Sequence, residues 1–325
     1  MAMVAVMMFS ESVPSSAADL TNSARSNAEH VLMQGRVDEA VRILDQVITA
    51  NRKDAAAHLL LCRAFYVQEF PDQAIGECEA ALADGLANNS RAQDWMGRAY
   101  GMKASQSGPI TGLKLAHRVK EAFETAVSLD PKSVDAVDDL GAYYVEAPGI
   151  VGGGLDRARA LAAQVNPQLP ERAQRLRGLI AEKQKDYGTA ERELRAVAEG
   201  SANRPDGWLD LAEYYLRTKD VQHQDKALAA VHKGIAVNKT RNPSLYEAAT
   251  ILIQMHREPQ LAEQALRSYL AGEAMDDTAP AFKARYQLGQ LLAAAGNRAA
   301  AKSEYEAALA LASNYAPARK ALQAQ

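Results

Sequence analysis

The sequence is short of the residues that most often announce chemistry. Its 325 residues include two cysteines, six histidines and 6% aromatics, and charge of neither sign dominates. The 37 lysines and arginines nearly cancel the 40 aspartates and glutamates, leaving a net charge of −3. Nucleic-acid binding needs a basic footprint that this balance does not supply, so no nucleic acid is expected as partner. The only cysteines are Cys62 and Cys78, and two thiols alone do not make a zinc site. Either they pair in an oxidising compartment, or they sit as small buried side chains on neighbouring helices.

Long apolar runs are missing too, since a membrane span needs about 20 such residues in a row. The unbroken apolar stretch Met1–Phe9 is followed by a proline and small residues ending in Ser16-Ala17-Ala18, with no lysine or arginine before Arg25. That pattern reads as a secretory leader over 1–18, cleaved after Ala18, although its apolar core is short and its basic residues are absent. Export to the periplasm or the medium is the expectation, and a cytoplasmic protein with a frayed tail is the alternative. No cysteine follows the apolar run, so a lipid anchor is not implied.

Catalytic signatures are equally scarce. No pair of histidines has HExxH spacing and no G-x-S-x-G occurs. Asp138 and Asp139 are adjacent, and neighbours on a helix point in different directions, which suits acid–base work poorly. The glycine-rich stretch EAPGIVGGGLD (146–156) has the composition of an anion-binding loop feeding a helix. Yet the helix after it starts Leu155-Asp156-Arg157 instead of Gly-Lys-Ser, and Asp156 puts a negative charge where an anion would sit. The stretch reads as an enlarged turn. No catalytic residue, cofactor or metal is expected, and the chain reads as a non-enzyme.

What is present is alanine nearly everywhere and a period. Ala28 and Cys62, Ala40 and Ala74, and Gly178 and Ala212 are separated by one and the same interval, about 34 residues. WLDLAEYY (208–215), DDLGAYY (138–144) and RYQLGQLL (285–292) share one core pattern. In 171–198, apolar residues recur every three and four positions on either side of Tyr187-Gly188, which predicts two short amphipathic helices joined by a tight turn. One such hairpin cannot bury its apolar face alone, so its neighbours must supply the rest of the core.

These features resemble the tetratricopeptide repeat family, whose unit of about 34 residues runs Trp-x-x-Leu-Gly-x-x-Tyr, then Ala-x-x-x-Phe, then Pro. KEAFETAVSLDPKSVDAVDDLGAYY (120–144) is similar to it through Phe123, Ala126 and Pro131, and AAAKSEYEAALAL (299–311) through Ala301, Tyr305 and Ala308. The resemblance implies an all-α, right-handed superhelical solenoid of about eight helix-turn-helix repeats, in a chain read as bacterial and exported. The repeats are placed at 21–54, 55–89, 90–133, 134–170, 171–204, 205–242, 243–281 and 282–315, with a cap over 316–325. Those at 21–54, 171–204 and 243–281 are degenerate.

The period slips twice. The step from Gly97 to Gly141 is longer than one repeat, with the excess assigned to ASQSGPITGLKLAHR (104–118). The step from Tyr144 to Ala158 is longer than the turn inside a repeat requires, with the excess in the glycine-rich stretch. Both insertions are expected between the two helices of successive repeats, side by side on one edge of the stack.

The resemblance further implies a concave face lined by the first helix of each repeat, which holds a protein or peptide partner as a scaffold or assembly factor does. Candidate binding residues there are Arg25, Arg63, Tyr66, Arg91, Asp94, Arg98, Arg172 and Arg175, with Asp135, Asp138 and Glu213 on the same faces. Arginines beside a tyrosine suit an acidic or carboxylate-bearing segment through forked hydrogen bonds. The Lys and Asn pattern of chaperone-docking members is absent. The alternative reading is a small-ligand binder or enzyme using 104–118 and 146–156 as a pocket rim.

Overall fold

A computed structural model describes residues 17–200, 204–218, 221–240, 243–272, 276 and 278–324. The leader read over 1–18 lies almost wholly outside the described residues. Among them the secondary structure is helical, with seventeen α-helices and no strand. Among the described residues no helix is long and apolar enough to cross a membrane.

The helices come in consecutive antiparallel pairs. They are α1 (Ala17–Met33) with α2 (Val37–Ala50), α3 (Ala55–Val67) with α4 (Pro71–Ala81), α5 (Ser90–Ser105) with α6 (Pro109–Leu129), and α7 (Val134–Glu146) with α8 (Leu155–Val165). Then follow α9 (Pro170–Lys183) with α10 (Tyr187–Gly200), α11 (Asp206–Arg217) with α12 (Val221–Val237), α13 (Ser244–Met255) with α14 (Pro259–Leu270), and α15 (Ala281–Ala294) with α16 (Arg298–Leu311). A single helix, α17 (Ala316–Gln323), closes the chain.

Local chemistry explains where these helices begin and turn. Asp54, Asn89, Ser133 and Asn297 cap α3, α5, α7 and α16 by accepting the backbone N–H three residues on. Proline opens α4, α6, α9 and α14, where a missing N–H costs nothing. The turn inside a pair commonly uses a left-handed residue: Gly35, Glu69, Lys185 and Gly296 singly in their repeats, and His256 with Glu258 between α13 and α14. Non-glycine residues therefore reach positive φ here for a shared geometric reason, not because they mark a strained site. Helix backbones come close where side chains are smallest: a Cβ on Gly97 would lie 2.4 Å from the Phe123 ring, and one on Gly289 2.5 Å from that of Tyr305.

The two excess stretches behave differently from each other. Residues 104–118 do not form a wide turn. The chain turns only between Ser105 and Pro109, and the surplus lengthens α6 to 21 residues. Leu, Lys and Ala from Leu113 onward favour helix, and Pro109 pre-sets its first turn. The glycine-rich stretch is a true loop, with a 3₁₀ turn at Gly149–Val151 and left-handed glycines at 152 and 154. The two do meet: the Tyr143 hydroxyl reaches the carbonyls of Ala116 on α6 (2.8 Å) and Val151 in the loop (2.7 Å).

Cys62 on α3 and Cys78 on α4 form a disulfide within one pair, fully buried. The apolar core runs from pair to pair and then returns on itself. Leu32, Val37, Leu44 and Leu61 at the start of the chain share one cluster with Phe282, Ala308, Ala312 and Tyr315 at its end. The Lys283 ammonium meets the Glu69 carboxylate at 2.7 Å, and the Ser313 amide donates to Asp38 at 2.7 Å. The stack is a closed ring, so its concave side is the inside of that ring instead of an open groove.

Candidate partner-binding face

First helices of neighbouring repeats pack directly on one another, as α1 on α3, α3 on α5, α5 on α7, α7 on α9 and α11 on α13. That places them on the shorter, inner arc. Side chains one repeat apart face each other there, and the sequence fills those positions with opposite charges. Arg63 donates to Glu29, one repeat away (2.7 Å), and Arg172 reaches Asp138 and Asp206, one repeat to either side and each at 3.2 Å. Arg175 grips both oxygens of Asp210 (2.7 and 2.8 Å), and Arg217 both oxygens of Glu182 (2.8 and 2.9 Å). The fork of a guanidinium suits such two-point contacts. A ladder of ion pairs thus runs along the inner face.

The residues expected to bind a partner are largely rungs of this ladder. Arg25 holds Asp54 (2.9 Å), and Arg98 holds Asp139 (2.5 Å) and Asp94 (3.2 Å). Arg63 and Asp94 are buried, at 1% and 3% exposure, so both serve the joint between repeats. Tyr66 stacks edge-on against Trp95 at 5.2 Å, and the Arg98 guanidinium lies 4.8 Å from that ring's centre. Arg91 stays open to solvent, 3.6 Å from Glu29. Arg25, Arg63, Tyr66, Arg91, Asp94 and Arg98 gather on α1, α3 and α5, while Arg172 and Arg175 stand on α9.

The ladder changes character toward α13. Burial pushes the Glu247 carboxyl up to about 8, and Asp210 and Glu213 add repulsion against the pull of Arg175. Burial likewise raises Asp138, Arg175 and Arg172 opposing it, and raises Glu213, Arg217 opposing it. Asp94 rises for the same reason, with Arg98 resisting and Asp139 adding repulsion. The sequence motifs do not single out Glu247, because its repeat looks degenerate. The available signal is the period itself, since Glu247 stands one repeat interval after Glu213.

At the edge of this face, Ala142, Val145, Leu179, Lys185, Tyr187 and Arg217 help to line a cavity of about 490 Å³. No group of three or more His, Cys, Asp or Glu side chains suited to a metal occurs among the described residues. In the glycine-rich loop the amides of Gly152, Gly153 and Gly154 donate to the carbonyls of Gly149, Pro148 and Tyr144. Those donors hold the turn together and are not left to cradle an anion. A Cβ on Gly153 would lie 1.9 Å from the Ala147 carbonyl oxygen, so the glycine there serves packing.

Residues 31–98 and 282–315 match family models described as tetratricopeptide repeat. No curated protein matches the sequence. Among solved structures, yeast Tom70 is similar over 98% of this chain and 66% of its own, at 14% identity and a TM-score of 0.56. TTC0263, a tetratricopeptide protein of Thermus thermophilus, is similar over 65% of this chain and 98% of its own, at 14% identity and a TM-score of 0.47. At such identities the likeness is one of fold. Residues 31–98 and 282–315 are thus tetratricopeptide repeats, and the helix pairs stacked between them have the same helix-turn-helix form.

Proposed function

We propose that the chain is a non-enzymatic scaffold that holds a protein or peptide segment against its inner face. The observation that carries this reading is the row of first helices, which sets charged side chains of both signs at regular intervals on one surface. Most of these charges already hold neighbouring repeats in register, so the surface is pre-organised and little ordering remains when a partner binds. Arg91 and Glu247 are the groups best placed to engage it, one solvent-facing, the other crowded by like charge. A repeat stack with a near-neutral balance and no basic footprint suits a polypeptide better than nucleic acid. The pocket-rim alternative loses its ground, because 104–118 is largely helix and the loop's amides are engaged.

The test is crosslinking capture from intact cells with the full chain, followed by mass spectrometry. Arg91→Glu combined with Glu247→Lys should abolish capture, while Arg192→Glu on the outer helix α10 should leave it intact. Capture undiminished by the inner-face pair would refute the reading.

We also propose export to an oxidising compartment, the periplasm or the medium. The buried Cys62–Cys78 disulfide supports it, because such bonds persist outside the reducing cytosol. N-terminal sequencing of the mature protein should begin at or near Asp19; an intact Met1 in the cytosol would reject it.

A further inference from the structure

One joint of the ring is crossed by no covalent connection. Between all other repeats the chain itself keeps the partners together, whereas this contact joins residues 214 positions apart at Lys283 and Glu69 and 275 apart at Ser313 and Asp38. Its apolar part is compact. Phe282 is fully buried, with the Tyr315 ring 4.9 Å away, and α16 and α17 add the small side chains of Ala308, Ala312 and Ala318 with the half-buried Leu309 and Leu311 beside them. Its polar rim is exposed, and ion pairs of that kind contribute about 1 kcal/mol or less. The closest approach is at the first turn, where Gly35 lies so near α15 that a Cβ on it would stand 2.6 Å from the Ala281 nitrogen.

Repeat stacks take their curvature from small rotations between neighbours. A slight change at every joint therefore adds up to a large displacement where the two ends meet. We infer that this seam is a gate: the ring has a second, open arrangement, reached by parting α1 and α2 from α15 to α17. On the reading that the inner face binds a partner, opening is what admits a bulky segment to it. The closed form then masks the site, and a partner that holds the ring open stabilises the open form by its own differential affinity.

Spin labels at Gln46→Cys on α2 and Ser303→Cys on α16 test this by distance measurement on the full chain. The native cysteines are paired, so the labels take the only free thiols. The expected result is a dominant short distance with a minor long one. Gly35→Ala should raise the long-distance share several-fold by wedging the seam. Gly296→Ala is the matched control: its φ of 82° is equally left-handed, but nothing lies within 4 Å of the added Cβ. Lys283→Glu, which sets like charges against Glu69, provides a second opening variant should Gly35→Ala fail to fold. A single short distance in both opening variants, or an equal rise in Gly296→Ala, overturns the gate. Because these distances need no partner, a fixed seam leaves the binding reading standing, and failed capture from a ring that does open strikes only that reading.

Discussion

Replacing Arg175 or Asp210 by alanine removes one side of a two-point ion pair that lies mostly out of solvent between α9 and α11. Hydrogen bonds to charged groups of this kind contribute about 2 kcal/mol, so either variant should lower the denaturation midpoint by a corresponding amount. Glu247 offers an opposite case. Its folded carboxyl is held up to about 8 against an ordinary value of 4.5, so within that window the folded chain keeps a proton that the unfolded chain has released. Stability should therefore fall as pH climbs from 4.5 to 8, and Glu247→Gln should flatten that slope and gain stability at the alkaline end. A titration of melting temperature against pH for both proteins checks the sign; a steeper slope in the variant would contradict it. At this scale the sequence points to the right surface but not to the use of its residues. Arg63 and Arg172 look like ligands until their partners, one repeat off, come into contact in the folded chain.

Single elements are more legible than single contacts. The repeat interval is local, and so is the break between α9 and α10, but the turn falls at residues 184–186 around the left-handed Lys185, and Tyr187-Gly188 opens α10 instead of separating the helices. The glycine-rich loop can be read because Gly and Pro there have no better use than a wide turn. Residues 104–118 mislead because Gly108, Pro109 and Gly112 look like turn residues, whereas proline at a helix start and one interior glycine are both tolerated. The cysteines stay open in sequence, since their spacing suits facing helices with or without a bond; α3 and α4 bring them together. A bond closing a loop of that length stabilises by about 3 kcal/mol. Cys62→Ala with Cys78→Ala should lose about that much in chemical denaturation, and reductant should then have no further effect.

Closure of the whole ring has no trace in the period. Each repeat specifies only its own rotation against the next, and whether successive steps return to the start depends on their sum. Nothing in the local pattern links Glu69 to Lys283 or Asp38 to Ser313. Once closed, the ring gives the first and last pairs a shared core, with Phe282 and Tyr315 packed beside Leu32 and Leu44. Neither end is then left as the frayed terminus of an open stack. This closure also decides what the inner face is: a surface enclosed by its own scaffold, reached from the ring's openings or through the seam. Small-angle X-ray scattering on the full chain bears most directly on it. A pair-distance distribution that rises and falls within the diameter of a closed ring is the predicted result, and a long tail from an extended superhelix with separated ends would contradict the account.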